Sequence, residues 1–286
     1  MYSRVERFAT VGSTNDVVRG WLADGVPEVC VAVADEQSTG RGRHGRTWTA
    51  PPGAALLMTA GFRPSWLEPD RAWRLGATVA LAMADAAEDA AGLPVGAIRC
   101  KWPNDLVVET SGPHALLLGE LTPGAAQARM AAPLALRKLA GILGESEGLG
   151  TDDPRVVVGI GLNADWAADA FPAELATTMT SLREASGGRP IDRDALLTAF
   201  LDRLEGRLEA LRAGFFDVGG WAERQATTGR LVVLDGGDGV ASEPVAALGV
   251  DAASGALVVE DRATSGGERL VLVGEVVRVR LAEAGV

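Results

Sequence analysis

Gly40 to Trp48 reads GRGRHGRTW and joins one strand-like segment to another. Glycines at 40, 42 and 45 free the backbone to approach a ligand and expose its N–H groups, while Arg41, Arg43 and Arg46 offer planar, multi-donor contacts to an anion such as phosphate. An RG-rich turn that binds nothing is the plain alternative, because a bare GxGxxG is a weak signal. Here the loop is strand-bounded and runs into Trp48. Neither GxxxxGKS nor GxxxxGKT occurs, which excludes a P-loop nucleotide site. KWPND at 101–105 gathers Lys, an aromatic, a helix-breaking Pro, an amide and a carboxylate at a strand end, either as a binding set or as a turn whose Asn104 and Asp105 bond their own backbone. RKLAGILGE at 137–145 sets Lys138 just before a strand, and VVVGIGLNA places Asn163 at a strand end. Gly141, Gly159 and Gly161 within those strands fit tight sheet packing and close approach by a ligand equally well.

Composition sharpens the choice of residues. Of 27 Lys and Arg residues only Lys101 and Lys138 are lysines, and the only asparagines are Asn15, Asn104 and Asn163. Against so consistent a use of Arg, a retained Lys or Asn points to chemistry that needs a compact ammonium or a neutral amide carrying both donor and acceptor. A net charge of −11 argues against holding nucleic acid by broad phosphate neutralisation, so any anion site must be local. Cys30 and Cys100 make neither a metal spacing nor a disulfide framework and are expected as packing residues in a reducing compartment. His44 and His114 form no metal or triad constellation, and no protein-held metal is expected. No run has the form of a signal peptide or reaches the ~20 apolar residues that span a bilayer, so the expected address is cytoplasmic, with no membrane partner.

The elements that must position these motifs emerge from local pattern. RFATVGSTNDVVRGWLADG reads as a short strand, a polar turn at Gly12 to Asn15 and a helix capped by Ser13 or Thr14. Buried strands are expected from Val29, at Ala54 to Ala60, at Ala97 to Lys101, at Ala140 to Gly144 and at Arg155 to Ile160. Long helices are expected at Asp70 to Ala91, ending before Gly92, and at Ile191 to Arg212, where leucines recur at helical spacing. The order lacks regular βαβ alternation, which gives an α+β class. From Gly229 short runs such as LVVL, GALVVE and RLVLVGEVVRVRL, broken by Gly and Asp, suggest a small all-β domain.

STN at 13–15, EQxxGRGRxGRxW at 36–48, KWPND at 101–105, KLAGIL at 138–143 and GIGLN at 159–163 together resemble the ordered motif set of biotin protein ligases. GRLVVL, GVDAASGALVV and GEVVRVR resemble that family's C-terminal domain, so the likeness spans nearly the whole chain. It implies a mixed-sheet catalytic domain of the biotin/lipoate ligase, class II synthetase-like type over 1–226, and an SH3-like β-barrel over 227–286. The family's N-terminal DNA-binding segment has no room before residue 13, so the form without it is expected. Between KWPND and Lys138 the sequence departs from the family pattern by an insertion, 109–136, read as a surface loop.

The resemblance also implies roles. Ser13, Thr14, Asn15 and Gln37 would frame the biotin ureido group, and Arg41, Gly42 and Arg43 would close over biotin and the activated intermediate. Gly141 would also contact biotin. Arg46, Trp48, Lys101, Asn104 and Asn163, with Arg43, would bind ATP or the adenylate, and Lys138 would bridge the biotin carboxylate and the α-phosphate. Biotin attacks the α-phosphorus although both are negative, so fixed cations and Mg²⁺ offset the repulsion. The biotinyl-adenylate is a reactive mixed anhydride, which a closing loop would shield from water. Transfer to a lysine of a biotin carboxyl carrier domain needs a neutral amine, present as about one in 10³ at pH 7. Asp105 would orient that amine and accept its proton. The catalytic set is thus Arg43, Lys138 and Asp105. A lipoate protein ligase and a non-catalytic biotin sensor are the alternatives.

Overall fold

The computed structural model describes residues 2–113, 115–116, 123–235, 242–261, 263, 267–272 and 275–281. Strand β1 (Arg4–Val11) leads into α1 (Thr14–Ala23), then β2 (Cys30–Gln37), β3 (Ala55–Phe62), α2 (Trp73–Ala91), β4 (Ile98–Lys101) and β5 (Asp105–Ser111). Next come α3 (Pro123–Ala131), β6 (Ala135–Glu147), β7 (Arg155–Asn163), α4 (Leu182–Ala185), α5 (Arg193–Arg212) and α6 (Val218–Glu223). The chain continues through β8 (Arg230–Asp235), β9 (Val245–Val250), β10 (Leu257–Asp261), β11 (Gly267–Val271) and β12 (Glu275–Leu281).

Seven strands form one sheet in the order β1-β2-β3-β7-β6-β5-β4. Only β1 and β2 run parallel; the remaining pairs are antiparallel, so the sheet is mixed and the class is α+β. Its two faces are covered unequally. Leu56, Met58, Val158, Ile160 and Leu162 share a large core with α2 and α5, built on Val79, Met83, Phe200 and Leu204. The opposite face receives α1, through Val18, Trp21 and Leu22 packed on Cys30, Ala32 and Val157. Helix α2 stops where Gly92 turns left-handed at φ 57°, as an end before that glycine requires.

Strand β5 was not expected: DLVVETS follows the KWPND turn so closely that the turn masks it. The segment read as a loop at 109–136 is more ordered than that reading. Glu109 to Ser111 continue β5, the Ala-rich run Pro123–Ala131 is helical, and Ala135 and Leu136 open β6. His114 lies outside the described residues.

The second sheet is antiparallel, in the order β11-β10-β9-β8-β12. It docks on the first through KWPND: Trp102 is buried among Val232, Val245, Leu257, Val259 and Val276, and its indole N–H donates to the Gly255 carbonyl at 3.1 Å. Arg230 of β8 and Glu109 of β5 add a buried ion pair of 2.6 Å. Both cysteines are buried and unpaired, and burial pushes Cys30 up to about 11 and Cys100 up to about 12. Neither thiol is a nucleophile at neutral pH. Among the described residues no helix is long and apolar enough to cross a membrane.

Candidate active site

Every candidate site residue named from the sequence, except Asn163, lines one cavity of about 610 Å³ on the α1 face of the large sheet. Its floor is a row of the sheet from which side chains have been removed. Asp105 of β5 stands opposite Gly141 of β6, which stands opposite Gly161 of β7. A Cβ on Gly161 would lie 2.6 Å from the Trp48 indole, and one on Gly141 would lie 3.2 Å from both the Trp48 ring and Lys138 Nζ. Sheet packing and ligand approach were both open for these glycines; in the structure they admit the Trp48 ring and the lysine ammonium.

A bulge brings Lys138 to this floor. Leu106 pairs with Ala140 and Val107 with Lys138, so Leu139 is an extra residue in β6. In a regular strand residues 138 and 141 face opposite ways; the extra residue puts both on the face of Asp105 and Val107. Leu139 is buried in the core behind. Lys138 Nζ then lies 2.6 Å from Asp105 Oδ1 and 5.4 Å from the Trp48 ring centroid.

The lining around the start of α1 is closely hydrogen-bonded. The Thr14 backbone N–H donates to Gln37 Oε1 at 2.7 Å, and the Thr59 hydroxyl donates to Asn15 Oδ1 at 2.6 Å. Asn15 Nδ2 donates to Glu145 Oε2 at 2.6 Å. Ser13, Thr14 and Asn15 are buried where α1 begins, and a Cβ on Gly159 would lie 2.1 Å from Asn15 Oδ1. Ser13 is the N-cap, without a side-chain cap hydrogen bond.

The Gly/Arg loop lines the same cavity. Arg41 bridges to Thr47, Gly42 N–H donates to the Arg46 carbonyl at 2.7 Å, and Trp48 N–H donates to the Gly40 carbonyl at 3.0 Å. The tip is a single 3₁₀ turn, Arg43–Gly45, with His44 at φ 56° and Gly45 at φ 70°. Arg41 makes a two-pronged contact with Asp16, 2.7 Å on each side, that ties the loop to α1. The Arg41 hydrogen bond holds the Asp16 carboxyl below its ordinary value. Arg43 Nη1 reaches to 3.5 Å from Asn104 Oδ1, while Asn104 Nδ2 donates to the Ile142 carbonyl at 2.9 Å. Lys101 and Arg46 add further cations to the lining.

Asn163 is the residue that the structure does not bring to the cavity. It is fully buried at the end of β7, beneath the segment that carries Thr180, whose carbonyl accepts from its Nδ2 at 2.9 Å. That segment also docks on β6 at Lys138, through Thr178 and Thr180. Several lining residues were not legible in the sequence. Leu175, Thr178 and Met179, and Val277 and Val279 of β12, close the walls with no motif to mark them. Asp16 and Glu145 adjoin recognised motifs, and their carboxylates in a cation-bearing region were the one signal that could have found them.

A solved structure described as biotin protein ligase from Aquifex aeolicus in complex with biotin and ATP matches with a TM-score of 0.69, covering 98% of this chain and 100% of that one at 24% identity. The fold is shared. A bifunctional ligase/repressor BirA of Bacillus spizizenii is 29% identical over 191 residues, 67% of this chain, and the match spans only 49% of that longer relative. A biotin--[acetyl-CoA-carboxylase] ligase of Paracoccus denitrificans is 30% identical over 216 residues, covering 74% of this chain and 77% of its own. Residues 8–163 match the model of the biotin/lipoate A/B protein ligase family. The chain belongs to that family.

Proposed function

We propose that the protein is a biotin protein ligase, which forms biotinyl-5'-AMP and pyrophosphate from biotin and ATP and then transfers biotin to a lysine of a biotin carboxyl carrier domain. The observation that carries this reading is the lining of the cavity over the glycine floor. A buried cradle of Ser13, Thr14, Asn15 and Gln37, with Asn15 over Gly159, shares the lining with the loop arginines and with the Lys138 ammonium over Gly141. A ureido head, with donors and an acceptor but no charge, fits the cradle, and phosphates fit the cations. The name of the Paracoccus relative, which joins biotin to a carboxylase, and the Aquifex complex with biotin and ATP support the same assignment.

In the first step a biotin carboxylate oxygen bonds to the α-phosphorus as the bond to the β-phosphate breaks and pyrophosphate leaves. Lys138 and Arg43 offset the like charges that meet there. Among the described residues no three His, Cys, Asp or Glu side chains converge on a cation position. Mg²⁺ would arrive on the ATP phosphates as part of the substrate. In the second step Asp105 receives a proton from the acceptor ammonium, and the neutral amine attacks the acyl carbon.

Incubation with ATP, Mg²⁺ and either biotin or lipoate, with avidin blotting and mass spectrometry of a carrier domain, tests the reading. Biotin-dependent labelling of one lysine is expected. Labelling by lipoate alone would make the chain a lipoate ligase, and biotin binding without transfer would make it a sensor.

A further inference from the structure

In the ligase reading Lys138 works in the first half-reaction and Asp105 in the second. The structure holds these two side chains against each other at 2.6 Å, both partly open to the cavity, with side-chain exposures of 31% and 15%. While they are paired, the ammonium is neutralised by a carboxylate of the protein, and that carboxylate's charge is neutralised in turn. The partners differ in reach. Asp105 is short and fixed at the first position of β5, whereas Lys138 carries a flexible four-carbon stem from the bulge in β6, with the open Gly141 surface beneath its tip. Lys138 is therefore the one that moves.

We propose, resting on the ligase reading, that the Lys138–Asp105 pair is a gate that orders the two half-reactions, so that the acceptor lysine is received only after the adenylate has formed. Arrival of the biotin carboxylate and the α-phosphate offers Lys138 oxygens that replace Asp105, and the ammonium crosses to them over Gly141. Asp105 is then left facing the cavity as an unpartnered carboxylate, and the acceptor ammonium takes the place that Lys138 has left. It gives one proton to Asp105. The neutral amine forms the C–N bond, the acyl C–O bond to the adenylate breaks, AMP leaves with that electron pair, and the second N–H proton passes to solvent. Once AMP departs, Lys138 returns to Asp105, its ion-pair partner among the described residues, which closes the site to a further acceptor.

A purely positional Asp105, one that only holds Lys138 in place, makes opposite predictions. Under the gate, Asp105→Asn removes a competitor for Lys138, so the KM values for biotin and ATP in pyrophosphate exchange fall by about threefold, the yield of an ion pair of this exposure. Transfer from biotinyl-adenylate to the carrier domain falls by about 10²-fold or more through loss of the proton acceptor. Lys138→Met binds the carrier domain equally well with and without synthetic biotinyl-adenylate, whereas the wild type binds it measurably only with adenylate. Exchange by Asp105→Asn that weakens in step with transfer would overturn the gate. So would adenylate-independent carrier binding by the wild type. A wild-type protein with no biotin-dependent pyrophosphate exchange would instead overturn the ligase reading itself.

Discussion

Along β7 successive residues have opposite fates. Val156, Val158, Ile160 and Leu162 enter the core shared with α2 and α5, while Gly159 and Gly161 turn to the other face and leave room for Asn15 and Trp48. One face is filled with side chains and supplies stability through buried apolar area; the other is emptied of them and supplies space. Glycine in a strand interior costs about 0.5–1 kcal/mol relative to alanine, and the filled face offsets that cost. Stability and chemistry are thus separable on one sheet, because a period of two lets adjacent residues answer to different constraints.

That separation can be broken from either side. The largest effect is expected from Lys138→Ala on the open face: a loss of about 10³-fold in biotin-dependent pyrophosphate exchange, comparable to removal of one preorganised charge-stabilising group, with a melting temperature little changed. Phe200→Ala on the filled face should do the reverse, costing about 3–5 kcal/mol in denaturant unfolding while the protein that stays folded keeps its turnover number. A drop in turnover per folded molecule equal to that of Lys138→Ala would mean that the two faces are mechanically coupled. Gly161→Ala sharpens the contrast at a single atom. Its Cβ would meet the Trp48 indole at 2.6 Å, so the ring must move, and titration calorimetry should show ATP binding weakened by about tenfold, or about 1.4 kcal/mol, with little loss of stability.

The smallest effect concerns the tie between Asp16 and Arg41. Its carboxyl titrates below the ordinary value because Arg41 bonds to it, so the contribution is complete above the unfolded pKa of about 3.9 and disappears as pH falls through the lower folded value. Both side chains are well exposed, at 46% and 37%, which limits the tie to under about 1 kcal/mol. Asp16→Asn should hasten tryptic cleavage at Arg41 to Arg46 a few-fold at neutral pH. Acidification of the wild type toward the native limit should loosen the loop in the same way, without any step between pH 5 and 8.

Much of the fold was legible because its signals are local. The long helix before Gly92, the leucine-spaced helix now bounded as Arg193–Arg212, the strand after Val29 and the change of texture near Gly229 each arise from periodicity and punctuation. What escaped was hidden by stronger neighbours. Strand β5 disappeared behind the WPND turn, and Pro123–Ala131 behind its Gly/Pro/Ala composition. Asn163 shared its rarity with Asn15 and Asn104, yet the segment ending at Thr180 closes over it, a long-range packing event that rarity cannot report.

The sequence by itself determined which residue types were available for chemistry: two lysines among many arginines, three asparagines, three arginines in a glycine loop, and a carboxylate after KWPN. Residue type is a property of each position alone, so one chain suffices to read it. Which way those residues point is not. Only the tertiary structure decided that Leu139 is extra against β5, that Lys138 therefore shares a face with Gly141, and that its ammonium rests on Asp105. A one-residue change of register reverses every side chain beyond it, and register is set by pairing between strands distant in sequence. The composition of the site was written locally; its facing was set by the sheet.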